Sequence, residues 1–360
     1  MRVVTVLGEI KPDALGVTLA HEHLLLDLRN QYAEPADPER KRFGLRPVGP
    51  ETVETVRRDP YALRDNLILD DVECAVAEVE RFRDAGGRTI VDCTSRGLSP
   101  RPDALAEISR QTGVHVVTGC GYYTQDTHPA DMAERSVEQI ADEIVRDLTV
   151  GIDDTGIRAG VIGELGTSAT IRPQEEKVLR VAAKAFARAP RAIYVHTYPW
   201  GKEGAAAARL LIDAGVDPAR IVICHIDVTF NLAYLREMLA LGVVIEFDNF
   251  GKEFEPDAPD GGFAGGRFAS DAERVQVVKQ CLERGFGAQL LVTTDICLKC
   301  MLHAHGGAGY AHILQNVMPM MREAGITQSA IDRLLTENPR RVLAGRPDDR
   351  RNAVGRKRPD

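Results

Sequence analysis

The chain lacks any stretch near the roughly twenty consecutive apolar residues that a membrane span requires. Its first residues, MRVVTVLGEIKPD, also lack the apolar core and small-residue cleavage site of a secretory signal. The expectation is a cytoplasmic protein. There is no surplus of basic charge: 45 Lys and Arg stand against 53 Asp and Glu, a net of −8, with no block of one sign in the body of the chain. That excludes a nucleic-acid surface and leaves a small molecule as the expected partner. A disulfide framework is absent too, because the seven cysteines are an odd count and Cys93, Cys120 and Cys224 sit inside apolar runs as core fillers. No glycine-rich fingerprint follows the first apolar run, so a nucleotide-dependent dehydrogenase has nothing to rest on.

What is present is a pair of histidines, His21 and His23, in VTLAHEHLLLD. A strand points alternate side chains to one face, so histidines one residue apart aim at a single point and can grip one metal ion. Four later apolar runs end in residues of the same kind: Glu164 in AGVIGELGTS, His196 in AIYVHTYPW, His225 in IVICHID and Asp295 in LLVTTDI. Each lies where a buried strand would stop and a loop begin.

The 360 residues could form one large barrel or two medium domains. The pattern chooses the barrel. Strands are expected over 17–24, 89–94, 115–119, 160–165, 192–197, 221–226, 243–247 and 289–295, with helical patterns between them. One such helix is DDVECAVAEVERFRDAGG, stopped by Gly86 and Gly87. Strands alternating with helices eight times over read as a single α/β domain, a (β/α)₈ TIM barrel over 1–345, preceded by a short N-terminal hairpin that closes its floor. Residues 29–70 read as a polar insertion after the first strand, and 346–360 as a charged, disordered tail.

Imidazoles mixed with carboxylates suit Zn²⁺, or Mn²⁺ or Fe²⁺, better than Mg²⁺ or Ca²⁺. In a two-metal arrangement His21, His23 and Asp295 hold the inner ion, His196 and His225 the outer one, and Glu164 bridges them. Two such ions generate a hydroxide from water at neutral pH. Asp295 can take the water's proton and hand it to the leaving group, so the expected reaction is hydrolysis without a covalent intermediate.

The chain resembles the phosphotriesterase-related proteins of the amidohydrolase superfamily. The likeness runs through TLAHEHLLLD, AGVIGELGTS, YVHT, CHID, FDNFGK, TTDICLK, GGAGYAHI and LTENPRRVLA. It implies a (β/α)₈ fold, a binuclear metal centre, a homodimer, and hydrolysis of phosphotriesters, lactones, esters or N-acyl amides according to the member. Where phosphotriesterases proper carry a carboxylated lysine, this chain has Glu164, which places it with the phosphotriesterase homology branch. The leading substrate is a small carboxylic ester, lactone or N-acyl amide. Phosphotriester hydrolysis is one alternative, and a metal-dependent lyase or a non-catalytic metal-binding protein is another.

Substrate contacts are expected from the loops after the strands: Arg96, Tyr122, Tyr123, Trp200, Lys252 and Lys299, whose cations suit an anionic handle. Plainer readings stand beside these. Glu164 could pair with a buried arginine, His196 and His225 could be satisfied core histidines, and a loop lysine is often only solvated. Cys297, Cys300, His303 and His305 imitate a zinc knuckle but fall in the eighth substrate loop. His115, His128, Tyr310 and His312 read as packing or surface residues, and Asp92 and Asp227 either orient ligand histidines or cap strand ends.

Overall fold

The computed structural model describes residues 2–228, 230–254 and 267–344. The tail expected over 346–360 lies outside the described residues. The interior strands are short and rich in β-branched residues, as parallel strands covered on both faces require. In order they are β1 (Thr18–Glu22), β2 (Thr89–Asp92), β3 (His115–Thr118), β4 (Ile162–Gly166), β5 (Ile193–His196), β6 (Ile221–Ile223), β7 (Val244–Phe247) and β8 (Leu290–Val292). Seven fall inside a stretch expected from the sequence, and β4 runs one residue past its expected end, to Gly166.

Parallel ladders join β1 to β2 to β3, and β4 through β8 in sequence order. Backbone hydrogen bonds close both gaps. Gly160 N donates to Thr118 O at 2.9 Å between β3 and β4, and Asp295 N donates to His21 O at 3.3 Å between β8 and β1. The ring is therefore complete, with helices such as Val72–Asp84, Pro102–Thr112, Val137–Thr149 and Pro173–Arg188 outside it. Asp71 caps the first of these and a Ser136–Gln139 capping box opens the third. Among the described residues no helix is long and apolar enough to cross a membrane.

Alternation assigns the faces. Val91, Val117, Tyr194, Val222, Val244 and Leu291 fill the barrel interior, and the intervening residues pack against the helices. An antiparallel hairpin, Val3–Thr5 with Gly8–Ile10, seals the floor with Val3 in that interior cluster. The insertion is less polar than its sequence implies. It carries helices Pro38–Gly44 and Val53–Arg58 and buries Val56, Leu63 and Leu67, so it is a packed wall of the mouth.

Glu22 stands between the two N-terminal histidines and points away from them. Its buried carboxylate accepts from Thr293 Oγ1 and Thr294 Oγ1, both at 2.6 Å, and from the backbone N–H of Thr294 and Ile296 at 2.9 and 2.8 Å. It thus pins the end of β8 to β1. Glu22→Ala leaves the Thr294 hydroxyl and the backbone N–H groups of Thr294 and Ile296 buried without this acceptor, while the Thr293 hydroxyl keeps His21 O at 3.0 Å, and is expected to lower the unfolding free energy by about 3 kcal/mol, read from urea denaturation. A loss under about 1 kcal/mol would show that the seam closes without it.

Candidate metal centre

The ladder slips in register at two places, between Leu19 and Glu22 on β1 and between Ile162 and Leu165 on β4. Such irregularities re-aim side chains, and these two turn His21 and Glu164 into the barrel mouth. His23 follows one residue past β1. His196 ends β5, while His225 and Asp295 lie just past β6 and β8. His225 and Asp295 hold left-handed backbone angles, φ +60° and +43°, which are uncommon for non-glycine residues.

All six side chains meet around Glu164. Its Oε2 lies 3.5 Å from His21 Nε2, 3.4 Å from His196 Nδ1 and 3.4 Å from His225 Nε2, and its Oε1 lies 3.4 Å from His23 Nε2. Asp295 Oδ1 lies 3.2 Å from His23 Nε2 and 3.7 Å from His21 Nε2. His21, His23, Glu164, His225 and Asp295 are buried, and only His196 is partly exposed.

The donor set fits divalent ions on two counts. Metal–ligand bonds of about 2.0–2.2 Å place neighbouring donors of a tetrahedral ion about 3.3–3.6 Å apart, close to the spacings around Glu164. His21 Nε2 is also fully buried with no hydrogen-bond partner, an unmet lone pair that a cation would satisfy. The electrostatics agree. Burial disfavours a charged His23, yet hydrogen bonds to Asp295 and Glu164 push it up to about 10. Burial would raise Asp295, but the Lys252 ammonium and the histidines hold it well below the usual carboxylate range. The pocket thus favours positive charge.

The outward ring nitrogens are also held. His21 Nδ1 lies 3.0 Å from Glu246 Oε2, and His23 Nδ1 lies 2.9 Å from Thr94 Oγ1. His225 Nδ1 lies 3.1 Å from Asp248 Oδ2, which also accepts the His225 backbone N–H at 2.8 Å. Asp248→Asn is expected to weaken metal binding 10- to 100-fold, roughly the cost of losing such an orienting partner. Titration with a competing chelator measures this, and unchanged affinity would contradict it. Glu246 and Asp248 were not singled out from the sequence. Their signal is two acids at spacing two on an otherwise apolar strand, sharing the interior face with Val244.

Asp92 acts at one remove from the histidines. It accepts the backbone N–H of Leu24 at 2.8 Å and of Thr94 at 3.1 Å, fixing the segment that carries His23 and the hydroxyl beside it. Asp227 is further out, bound to Asn249 and to the buried Arg274 guanidinium at 3.0 Å.

Of the six expected substrate residues, Tyr123 and Lys252 line the cavity of about 750 Å³ above the histidines. The Tyr123 hydroxyl lies 3.3 Å from His196 Nδ1, and the buried Lys252 ammonium donates to Asp295 Oδ2. The other four do not line it. Arg96 is neutralised by Asp147 at 2.5 Å and by Glu143 and Asp153 at 3.2 Å, so it has no free charge for a ligand. The Tyr122 hydroxyl turns outward to Glu143 at 2.6 Å. Lys299 pairs with Asp65 at 2.5 Å, and Trp200 packs edge-on against Phe268 and faces a neighbouring cavity.

The knuckle-like residues form no donor cluster among the described residues. Glu78 accepts the backbone N–H groups of His303 and Ala304, and Cys300 N donates to Asn66. Tyr310 donates its hydroxyl to His23 O at 2.7 Å, and His312 bonds Asp271 at 2.6 Å, so both hold structure. His128 bonds Tyr123 O and Gln174, and His115 is half-buried beside Arg88.

A family model described as the phosphotriesterase family matches residues 1–343. An N-acetyltaurine hydrolase of Danio rerio is 36% identical over 351 residues, covering 95% of this chain and 97% of that protein. Among solved structures, a resiniferatoxin-binding protein from Rhodobacter sphaeroides superposes with TM-score 0.91 at 37% identity, over 95% of this chain and 94% of that one. The Escherichia coli phosphotriesterase homology protein, complexed with phosphate in its active site, superposes with TM-score 0.76 at 29% identity, over 92% and 99%.

Proposed function

Because this chain belongs to the phosphotriesterase family and is a hydrolase, we propose that it uses two divalent ions, best zinc, to hydrolyse a small N-acyl amide whose amine portion carries an anionic group. The observation that carries this reading is the single Glu164 carboxylate standing 3.4–3.5 Å from four imidazole nitrogens. His21, His23 and Asp295 would hold the inner ion, His196 and His225 the outer one, with Glu164 shared between them. Ions held there supply a Lewis acid for the acyl oxygen and a water acidic enough to attack at neutral pH.

The chain's own groups do the rest. Asp295 takes the water's proton and delivers it to the departing amine, and the Lys252 ammonium on Oδ2 keeps the carboxylate ionised until it does. Arg172 at the rim of the same cavity, exposed and paired with one carboxylate, that of Asp126, has further N–H groups to offer a carboxylate or sulfonate on the amine. The relatives named N-acetyltaurine hydrolase support an amide in preference to an ester or lactone. A slow phosphotriesterase activity is a second reading, favoured by the phosphate in the active site of the similar E. coli structure.

Removal of metal tests the reading. Dialysis against a chelator is expected to abolish amide hydrolysis, and adding back Zn²⁺ or Mn²⁺ to restore it. Ions must displace protons from the histidines, so reloading should weaken as pH falls. Full turnover in chelator, with no metal found by elemental analysis, would overturn the proposal.

A further inference from the structure

Among the described residues, the largest fully buried side chain is a cation set back from the cavity. Arg274 stands in the first turn of the helix Asp271–Glu283, which follows β7, with its guanidinium over the Phe250 ring at 5.9 Å. That guanidinium forks between two carboxylates. Its Nε donates to Asp227 Oδ2 at 3.0 Å and its Nη1 to Asp271 Oδ1 at 3.1 Å. From Asp227 the contacts run inward without a break. The Asn249 side-chain amide donates to Asp227 Oδ1 and, at 2.8 Å, to Asp248 Oδ1, while Asp248 Oδ2 holds the backbone N–H of His225 at 2.8 Å and its Nδ1 at 3.1 Å. On the other arm, Asp271 Oδ1 also accepts Gly251 N at 2.9 Å, next to the Lys252 that bonds Asp295.

From this chain of contacts, and resting on the two-metal reading above, we infer that Arg274 is a positioning residue for the outer ion, acting on His225 through Asp227, Asn249 and Asp248. Each link constrains the next. Asp248 has one oxygen on His225 and the other on Asn249, so its plane cannot turn without breaking a contact. Asn249 is in turn anchored twice on Asp227, by its side-chain amide and by its backbone N–H at 3.2 Å. His225 needs this support. It lies past the end of β6 in a left-handed backbone conformation, and its N–H goes to Asp248 in place of a neighbouring strand. A buried ion pair gains little stability over apolar residues of equal volume, and what Arg274 supplies here is direction. The inner ion's histidines are held separately, His21 by Glu246 and His23 by Thr94.

The test is a zinc titration of the full chain against a chromophoric chelator, in which the phase lost in His196→Asn belongs to the outer ion. Arg274→Gln should loosen that phase about tenfold, the low end for an orienting partner because it acts through others, and leave the inner phase within about twofold. This change takes the counter-charge from Asp227 and may cost the fold. The paired change of Asp227→Leu with Arg274→Met leaves neither charge alone, and it should loosen the outer phase as much. In an Asp248→Asn background Arg274→Gln should add less than about twofold, since members of one network are not additive. Unchanged outer affinity in both variants, equal loosening of the two ions, or a further tenfold or so in the Asp248→Asn background overturns the inference. Amide hydrogen exchange on chelator-treated protein reads the same link with no ion present. The His225 amide should exchange about tenfold faster in both variants while β1 keeps its wild-type rate, and an unchanged His225 rate overturns the inference. If wild-type protein binds fewer than two zinc ions, the two-metal reading fails, and exchange at His225 still decides whether Arg274 positions it.

Discussion

Asp295→Asn is expected to lower kcat by about 10³-fold or more while KM changes little, because removal of a positioned general base costs about 10²–10⁴-fold and this residue would serve both proton transfers. Asparagine keeps the shape and one ligating oxygen but cannot take a proton at pH 7. The metal content should therefore survive better than the rate. Asparagine also leaves the Lys252 ammonium, which is 2% exposed, without its anion. A fall in melting temperature should accompany the kinetic defect, since breaking a buried pair by removing one partner is costly. Turnover within tenfold of wild type would remove Asp295 from the chemistry.

The second large effect concerns Glu164. Four imidazoles converge on this one carboxylate, and without it the ions would face neutral rings and Asp295 alone. Glu164→Ala should drop the metal content from two ions per chain to one or none, and activity should disappear with it. Glu164→Gln should lie between, because a neutral amide oxygen still ligates but no longer offsets charge. Elemental analysis of the purified variants reads this directly. Full metal content in Glu164→Ala would end its role as the shared ligand.

The barrel was legible because its parallel strands are mostly apolar and separated by amphipathic helices, a contrast that survives without knowing any pairing. The convergence of His21, His23, Glu164, His196, His225 and Asp295 was legible for a related reason. Strand ends on one face of a barrel meet, whatever the loops do. Loops obey no such rule. Arg96 reads as a free cation in TSRG, yet three acids from later in the chain claim it, and long-range ion pairs leave no local trace. Lys299 is claimed by Asp65 from the insertion in the same way. Glu246 and Asp248 were passed over because acids in a strand read as a solvated face until the ring closes and makes that face interior. The insertion's leucines are masked by its charged neighbours.

Diffraction from crystals grown with Mn²⁺, recorded near the manganese absorption edge, tests the central claim most directly. Two anomalous peaks are expected, one on each side of the Glu164 carboxylate, the first beside His21, His23 and Asp295 and the second beside His196 and His225. A map with no peak at the barrel mouth, or one in which these histidines turn away from Glu164, would contradict it.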